Sequence, residues 1–263
     1  MAGLERGPIV SVVVPVYNNA GTIRECLDSL LTQSYEDKEI IVVDDGSTDG
    51  TRDIAKGFPV KLIALDHRGR SHARNVGIKE SMGQIVGFAE GDAVYDREFL
   101  ARSVAHFAVA DVGGVIGPYF VKNPRSFLAR CKDVERRTHF SDYEPFTGWI
   151  YHKAVLEKIG YFDEHLNCGE DVDVGIRTRE AGFRIVYEPE ARWWHEEPEG
   201  WGGLFRRQFW YGREIVLFYV KRGDIPVPSI PTVLFLISIP LGIFFPSLLS
   251  APVLLFVYLL VGL

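Results

Sequence analysis

The chain has 263 residues, with 29 basic and 35 acidic side chains and a formal net charge of −6. That length suits one large domain with a substantial core, and the acidic balance argues against a nucleic-acid binder. Cys26, Cys131 and Cys168 lie far apart, with no C-x-x-C pair, so neither zinc spacing nor a disulfide framework is indicated; free thiols in a reducing compartment are expected.

In chain order, Ile9 to Val16 is a nearly continuous valine-rich run, the pattern of a strand buried on both faces of a parallel sheet. A helix follows, with Thr22 and Glu25 as a capping box and Ile23, Leu27, Leu30 and Leu31 at helical spacing. A second apolar strand, Glu39 to Val43, ends in Asp44-Asp45-Gly46-Ser47. A short helix (49–56), a strand (60–65), a helix (71–81) and a strand (Ile85 to Ala89) come next. Strands alternating with helices over short loops imply right-handed βαβ units and a doubly wound, mostly parallel sheet. Ligands of such sheets bind beyond the carboxyl ends of the strands. Polar clusters stand there in this sequence: Pro15-Val16-Tyr17-Asn18, Asp44-Asp45 and Glu90-Gly91-Asp92. Together they outline a nucleotide site.

The second half reads less regularly. A helix is predicted from Asp96 to Phe107, and a strand from Val112 to Val121. A helix from Asp171 to Ala181 is stopped by Gly182, and a strand runs from Phe183 to Glu188. The end of the chain is different again. Trp201 to Arg222 mixes seven aromatics with five basic residues, which suits a helix lying at a bilayer interface. The 39 residues from Ile225 to Leu263 carry no charge. As a helix they would span about 58 Å, against about 30 Å of hydrocarbon core. Breaks at Pro240, Pro246 and Pro252 therefore point to two passes, or one and part of another. The basic residues before the run place that side in the cytoplasm, and the N-terminus has no signal-peptide pattern. The expected organisation is a nucleotide-binding domain over 1–200, an interface helix over 201–224 and membrane segments over 225–263. The catalytic part would then sit on the cytoplasmic side of the cell membrane.

The string Ser11 to Thr51, SVVVPVYNNAGTIRECLDSLLTQSYEDKEIIVVDDGSTDGT, resembles the opening of family 2 glycosyltransferases, which have the GT-A fold. The likeness continues through Ser71-His72-Ala73-Arg74-Asn75-Val76-Gly77 and Gly83 to Asp92. It returns at Gly160-Tyr161-Phe162-Asp163-Glu164, at Gly169-Glu170-Asp171-Val172-Asp173 and from Arg177 to Pro189, covering roughly residues 9–195. The resemblance implies an inverting transferase that moves a sugar from a UDP- or GDP-sugar to a hydroxyl, here on a lipid-linked or saccharide acceptor. It also implies a divalent cation, Mn²⁺ or Mg²⁺.

Charge develops on the leaving phosphates, and a hard cation held by carboxylates suits that need. Asp92 is the first expected ligand. The family pattern Asp-x-Asp reads Glu90-Gly91-Asp92 here, so Glu90 is a second ligand or a ribose contact. His195, in Trp193-Trp194-His195, either completes the metal site or belongs to an aromatic patch. The resemblance makes Asp171 the general base that takes the acceptor proton; alternatively it is a helix N-cap. Glu170 and Asp173 are expected to support acceptor or base. Asp45 matches the nucleobase partner, and Pro15 and Tyr17 lie where the base would stack, with Asn18, Asp44 and Gly91 beside them. Asp44 reads equally well as a turn residue. Arg70 and Arg74 either neutralise the diphosphate or form ion pairs.

Two further readings stand beside this one: a processive polysaccharide synthase and a non-catalytic membrane scaffold. The first would need a clear Gln-x-x-Arg-Trp motif, which Gln208 to Arg213 does not supply; the second is opposed by Asp92 and Asp171. A sugar nucleotidyltransferase would carry a glycine-rich loop where this chain has Pro15 to Asn19.

Overall fold

The computed structural model describes residues 7–122, 124–139, 149–166 and 168–197, with isolated positions from 200 to 209. The chain divides into two compact units, Met1–Ile215 and Val216–Leu263. All described residues lie in the first.

β1 (Val10–Val16) is buried at every residue except Pro15. It runs between β2 (Lys38–Asp44) and β4 (Ile85–Phe88), parallel to both, and β3 (Lys61–Ala64) adds to β2 in the same sense. The alternation along β1 sorts its valines onto two faces. Val12 and Val14 pack with Ile23, Leu27 and Leu30 of α1 (Ile23–Leu31). Val13 packs with Ile41, Val43 and with Ala73 and Ile78 of the later helix α3 (Arg70–Lys79). A strand clothed by helices on both sides needs apolar residues at consecutive positions, which is why the run reads as continuous. Between β2 and β3 lies the short α2 (Thr51–Ala55).

The sheet continues past β4 through β8 (Ile150–His152) and β6 (Val112–Ile116) to β9 (Arg184–Tyr187), in the order β3-β2-β1-β4-β8-β6-β9. β8 is antiparallel to both neighbours, whereas β6 and β9 pair parallel. A second sheet of three short strands sets β10 (Trp193–His195) between β5 (Val94–Tyr95) and β7 (Tyr119–Val121). Helices α4 (Phe99–Ala105), α5 (Phe127–His139), α6 (Lys153–Lys158) and α7 (Glu170–Glu180) complete the described elements. The α/β, mostly parallel architecture expected from the sequence is present.

Three local expectations are corrected. The capping box at Thr22 does not form: its hydroxyl donates back to the Asn19 carbonyl at 3.3 Å, and Glu25 instead pairs with Lys122 at 2.5 Å. The strand expected over Val112 to Val121 is two strands in two sheets. The break falls at Gly117-Pro118, where a Cβ on Gly117 would overlap the Ala191 carbonyl. The helix expected from Asp96 begins at Phe99, because the Asp96 carboxylate accepts the Glu98 amide at 2.9 Å in a turn. Among the described residues no helix is long and apolar enough to cross a membrane. The expected interface and membrane segments, 201–224 and 225–263, lie outside the described residues apart from isolated positions.

Candidate active site

The carboxyl ends of β1, β2 and β4 open onto one cleft of about 470 Å³. Pro15, Tyr17, Asp45, Arg70, Arg74, Glu90, Gly91, Asp92 and His195 all line it, although they span the chain from residue 15 to 195. The strand-end rule therefore gathers most of the expected site.

At one end the buried Asp45 organises the loop after β3. Its Oδ1 accepts the Arg68 amide and its Oδ2 the Gly69 amide, each at 2.9 Å. His67 Nδ1 lies 3.1 Å from both the Asp45 carbonyl and the Asp45 Oδ2. Gly69, with φ 102°, gives the turn into α3 that only glycine adopts readily. The His67 ring then stacks on Tyr17 with centroids 4.0 Å apart. His67, Asn19 and Glu196 line the cleft and were not read from the sequence. His67 precedes a helix by a loop whose reach has no periodic signal.

Asn18 and Asp44 are not among the cleft's lining residues. Asn18, at φ 55°, donates its amide to Ser47 Oγ at 2.9 Å, and its Oδ1 accepts the Thr48 amide at 2.9 Å. Asp44 is fully buried, accepts Arg52 Nε at 2.6 Å and the Ser47 amide at 3.1 Å, and so closes its own turn. Asn18 thus fixes the loop after β1 to the loop after β2, while Asp44 closes the latter from within, since a side-chain amide and a short carboxylate can replace backbone partners in turns.

Glu90-Gly91-Asp92 follows β4 closely. Gly91 is needed for close packing: a Cβ there would lie 2.9 Å from a Val16 methyl. The Glu90 amide donates to the Tyr95 hydroxyl at 2.9 Å, and its carbonyl accepts the Cys26 thiol at 3.2 Å. Burial and then the Asp92 charge raise Glu90 to about 7, while the Arg74 and Arg70 guanidiniums pull the other way; Asp171 adds a smaller upward push. Asp171 thus lies within electrostatic reach of the acidic turn despite its distance in sequence.

Asp171 is the second residue of α7. Gly169, at φ 76°, caps that helix, so Asp171 is not its N-cap. Burial and the neighbouring Glu170 charge raise Asp171 above the ordinary carboxylate range, with Arg74 opposing. For Glu170, burial pushes upward, but the Arg74 and Arg70 charges prevail and hold it low. Asp173 faces another way. It binds Arg177 Nε at 2.7 Å, and Arg177 in turn donates to the carbonyls of Ile159 and Tyr161 at 2.5 and 2.8 Å. Asp173, through Arg177, therefore braces the 159–161 turn. Asn75 braces the next residues, with its Oδ1 accepting the Phe162 amide and its Nδ2 donating to the Phe162 carbonyl, both at 2.9 Å.

Glu90, Asp92 and His195 share the cleft, but no three His, Cys, Asp or Glu side chains among the described residues are drawn together as a ready-made metal site. His195 packs against Tyr119 and Trp193, with centroids at 4.9 and 5.7 Å, and its Nε2 is 3.6 Å from Glu197. A donor set with Asp92 foremost still fits a hard cation that takes most of its oxygens from phosphates and water, as Mg²⁺ typically does.

A parallel sheet whose strand ends converge on an acidic turn, an aromatic lip and a carboxylate at a helix start defines a GT-A-like glycosyltransferase. Comparison with known proteins agrees: the model of Glycosyl transferase family 2 matches residues 11–160, and the chain belongs to that family. It is 31% identical over 225 residues to Glycosyltransferase AglE of Haloferax volcanii, covering 78% of this chain and 72% of the relative. It is 28% identical over 229 residues to the poly-beta-1,6-N-acetyl-D-glucosamine synthase of Staphylococcus epidermidis, covering 79% of this chain but only 55% of that synthase. Among solved structures, a mannosyltransferase of Pyrobaculum calidifontis in complex with GDP-Man and Mn²⁺ superposes with a TM-score of 0.63 at 27% identity, covering 86% of this chain and 68% of that one. S. aureus TarS 1-349 in complex with UDP shares the fold, with a TM-score of 0.61 at 22% identity, over 79% of this chain and 65% of that one. The chain is an enzyme of the glycosyltransferase class.

Proposed function

We propose that the enzyme transfers a sugar from a nucleoside-diphosphate sugar to a hydroxyl of a lipid-linked or other membrane-associated acceptor, with inversion and with a divalent cation. One observation carries this reading: Tyr17, Asp45, Arg70, Glu90 and Asp92 line a single cleft, and Asp171 directly follows Glu170, whose carboxylate meets the cleft-lining Arg70 and Arg74. Tyr17 and Asp45 take the base, and Arg70, half exposed, faces the diphosphate. Asp92 and Glu90, with His195 lining the same cleft, would hold Mn²⁺ or Mg²⁺, which would supply charge neutralisation at the leaving phosphates. Asp171 accepts the acceptor hydroxyl proton as that oxygen attacks the anomeric carbon, and the nucleoside diphosphate departs. A single displacement inverts the centre. The uncharged run 225–263 and the aromatic, basic stretch before it support a place at the cytoplasmic face of the cell membrane.

The solved mannosyltransferase complex favours a GDP-sugar donor with Mn²⁺. A processive synthase is the second reading, favoured by the 28% identity to a polymerising relative. The test is a thermal-shift and calorimetry screen of the detergent-solubilised chain with UDP, GDP, CDP and dTDP, with and without Mn²⁺. Stabilisation by one nucleotide that needs the metal supports the transferase reading and names the donor class. No binding under any condition overturns it.

A further inference from the structure

Arg74 and Arg70 stand one helical turn apart on α3, and both reach the same oxygen of Glu170. Their settings differ. Arg70 is 3.4 Å from Glu170 Oε1 with 45% of its side chain exposed, whereas Arg74 is 2.8 Å away and 2% exposed. The Arg74 guanidinium carbon lies 5.1 Å from the centre of the Phe162 ring, 5.7 Å from Trp149 and 6.0 Å from Phe88. Its Nε has no hydrogen-bond partner among the described residues. A planar cation enclosed by aromatic faces and one carboxylate is fixed in place, and its charge is spent inward.

The partners of Arg74 belong to separate parts of the site. Phe88 ends β4, two residues before Glu90. Trp149 precedes β8. Phe162 lies in the turn that Asn75 clamps. Glu170 is the first residue of α7, next to Asp171. Removing one member of a buried ion pair leaves the other as an uncompensated buried charge, which the structure must move to relieve.

We propose that Arg74 is a positioning residue: it holds Glu170, and through Glu170 the start of α7, so that Asp171 sits correctly against the donor half of the cleft. It does not bind the diphosphate; among the two arginines that role falls to Arg70. This rests on the reading of Asp171 as the base given under Proposed function.

The test uses the full chain in detergent and the variants Arg74→Met, Arg74→Lys, Glu170→Met, Arg70→Met and the double variant Arg74→Met/Glu170→Met. GDP and UDP affinity is measured with Mn²⁺ by calorimetry, turnover is followed with GDP-mannose and UDP-GlcNAc, and hydrogen exchange is read at amides 170–173. Arg74→Met is expected to lower kcat about 10- to 100-fold, the range for misplacing a catalytic group by about 1 Å. The nucleotide Kd and donor KM should stay within about threefold, and exchange at 170–173 should rise. Arg74→Lys should recover part of kcat, and the double variant should be no worse than its more damaged parent, since both act as one unit. Arg70→Met should instead weaken the nucleotide. A tenfold loss of nucleotide affinity in Arg74→Met with unchanged exchange would overturn the proposal, as would fully additive losses in the double variant. If the unaltered chain neither binds nor turns over either nucleotide, the donor reading fails, and the exchange comparison still decides the link between Arg74 and α7.

Discussion

Tyr17 and His67 stack at the lip of the donor cleft with ring centroids 4.0 Å apart and planes 25° from parallel. One ring follows β1 and the other follows β3, and Asp45 between them holds the imidazole and both amides that lead into α3. A nucleobase that takes the place of His67 would keep the Tyr17 face and the two amide bonds of Asp45, giving up only the contacts of Asp45 to the imidazole. Stacking a base on an aromatic ring contributes about 1–3 kcal/mol. Tyr17→Ala should therefore weaken nucleotide binding roughly 5- to 150-fold in calorimetry, and His67→Ala should weaken it less. A larger loss in His67→Ala than in Tyr17→Ala would show that the histidine is the principal stacking surface.

Asp92 and Glu90 are expected to separate in the same assay. Asp92→Asn removes a ligand charge at the position the cation needs most, so Mn²⁺ should no longer strengthen nucleotide binding. Glu90→Gln should retain a metal effect of reduced size, because its longer side chain has two carboxylate-lowering arginines as alternative neighbours. EDTA should reduce the unaltered protein to the level of Asp92→Asn. Equal metal enhancement in Asp92→Asn and the unaltered chain would remove Asp92 from the site.

The raised carboxyl of Asp171 links activity to stability. A general base typically contributes 10²- to 10⁴-fold, so Asp171→Asn should lower kcat by about that factor. Activity of the unaltered enzyme should fall as pH drops through an apparent pKa above the ordinary aspartate value. The stability effect has the opposite sense. A carboxyl raised in the fold adds stability below its unfolded pKa, and that contribution is lost as pH rises through the folded value. Above it, the buried charge is a cost that asparagine does not carry. Asp171→Asn should melt higher than the unaltered chain at pH 8, by roughly 2–4 °C for each kcal/mol relieved, and the difference should shrink toward pH 4. A variant that melts lower at both pH values would mean that the carboxylate chiefly makes native contacts.

How much of this was legible depended on whether a residue's role is periodic or positional. β1, β2 and β4 announced themselves because burial on both faces demands apolar runs, and the acids after them fell at strand ends by the topology alone. β5, β8 and β10 have only two or three residues each, too short for a period to register. Asp44 and Asp45 are adjacent and chemically identical, yet one closes a turn with Arg52 and the other organises the cleft. Alternation along β2 determines which way each points, but not that Arg52 would be waiting for one of them. Likewise Asp171 and Asp173 lie on the same first turn of α7, but Asp173 is drawn off by Arg177 one turn further on. His67 carried no signal because its partner, Tyr17, is 50 residues away in a different loop.

Gly77 allows the packing beneath the site to be tested without touching any ligand. It lies inside α3, where replacing glycine by alanine ordinarily stabilises a helix by about 1 kcal/mol. Here an added Cβ would overlap the side chain of Val13 at the centre of β1, and Val13 is itself fully buried. Overpacking of a filled core costs about 1–3 kcal/mol, so the clash should outweigh the helix gain. Gly77→Ala is expected to lower the melting temperature rather than raise it, by roughly 2–4 °C per kcal/mol of net loss. The double change Gly77→Ala with Val13→Ala should suffer less than the sum of its parents, because removing the valine methyls makes room for the new one. Additive losses, or a Gly77→Ala variant more stable than the unaltered protein, would mean that α3 can lift from β1 without consequence. In that case the close approach of helix to strand would not be what fixes Arg70 and Arg74 over the cleft.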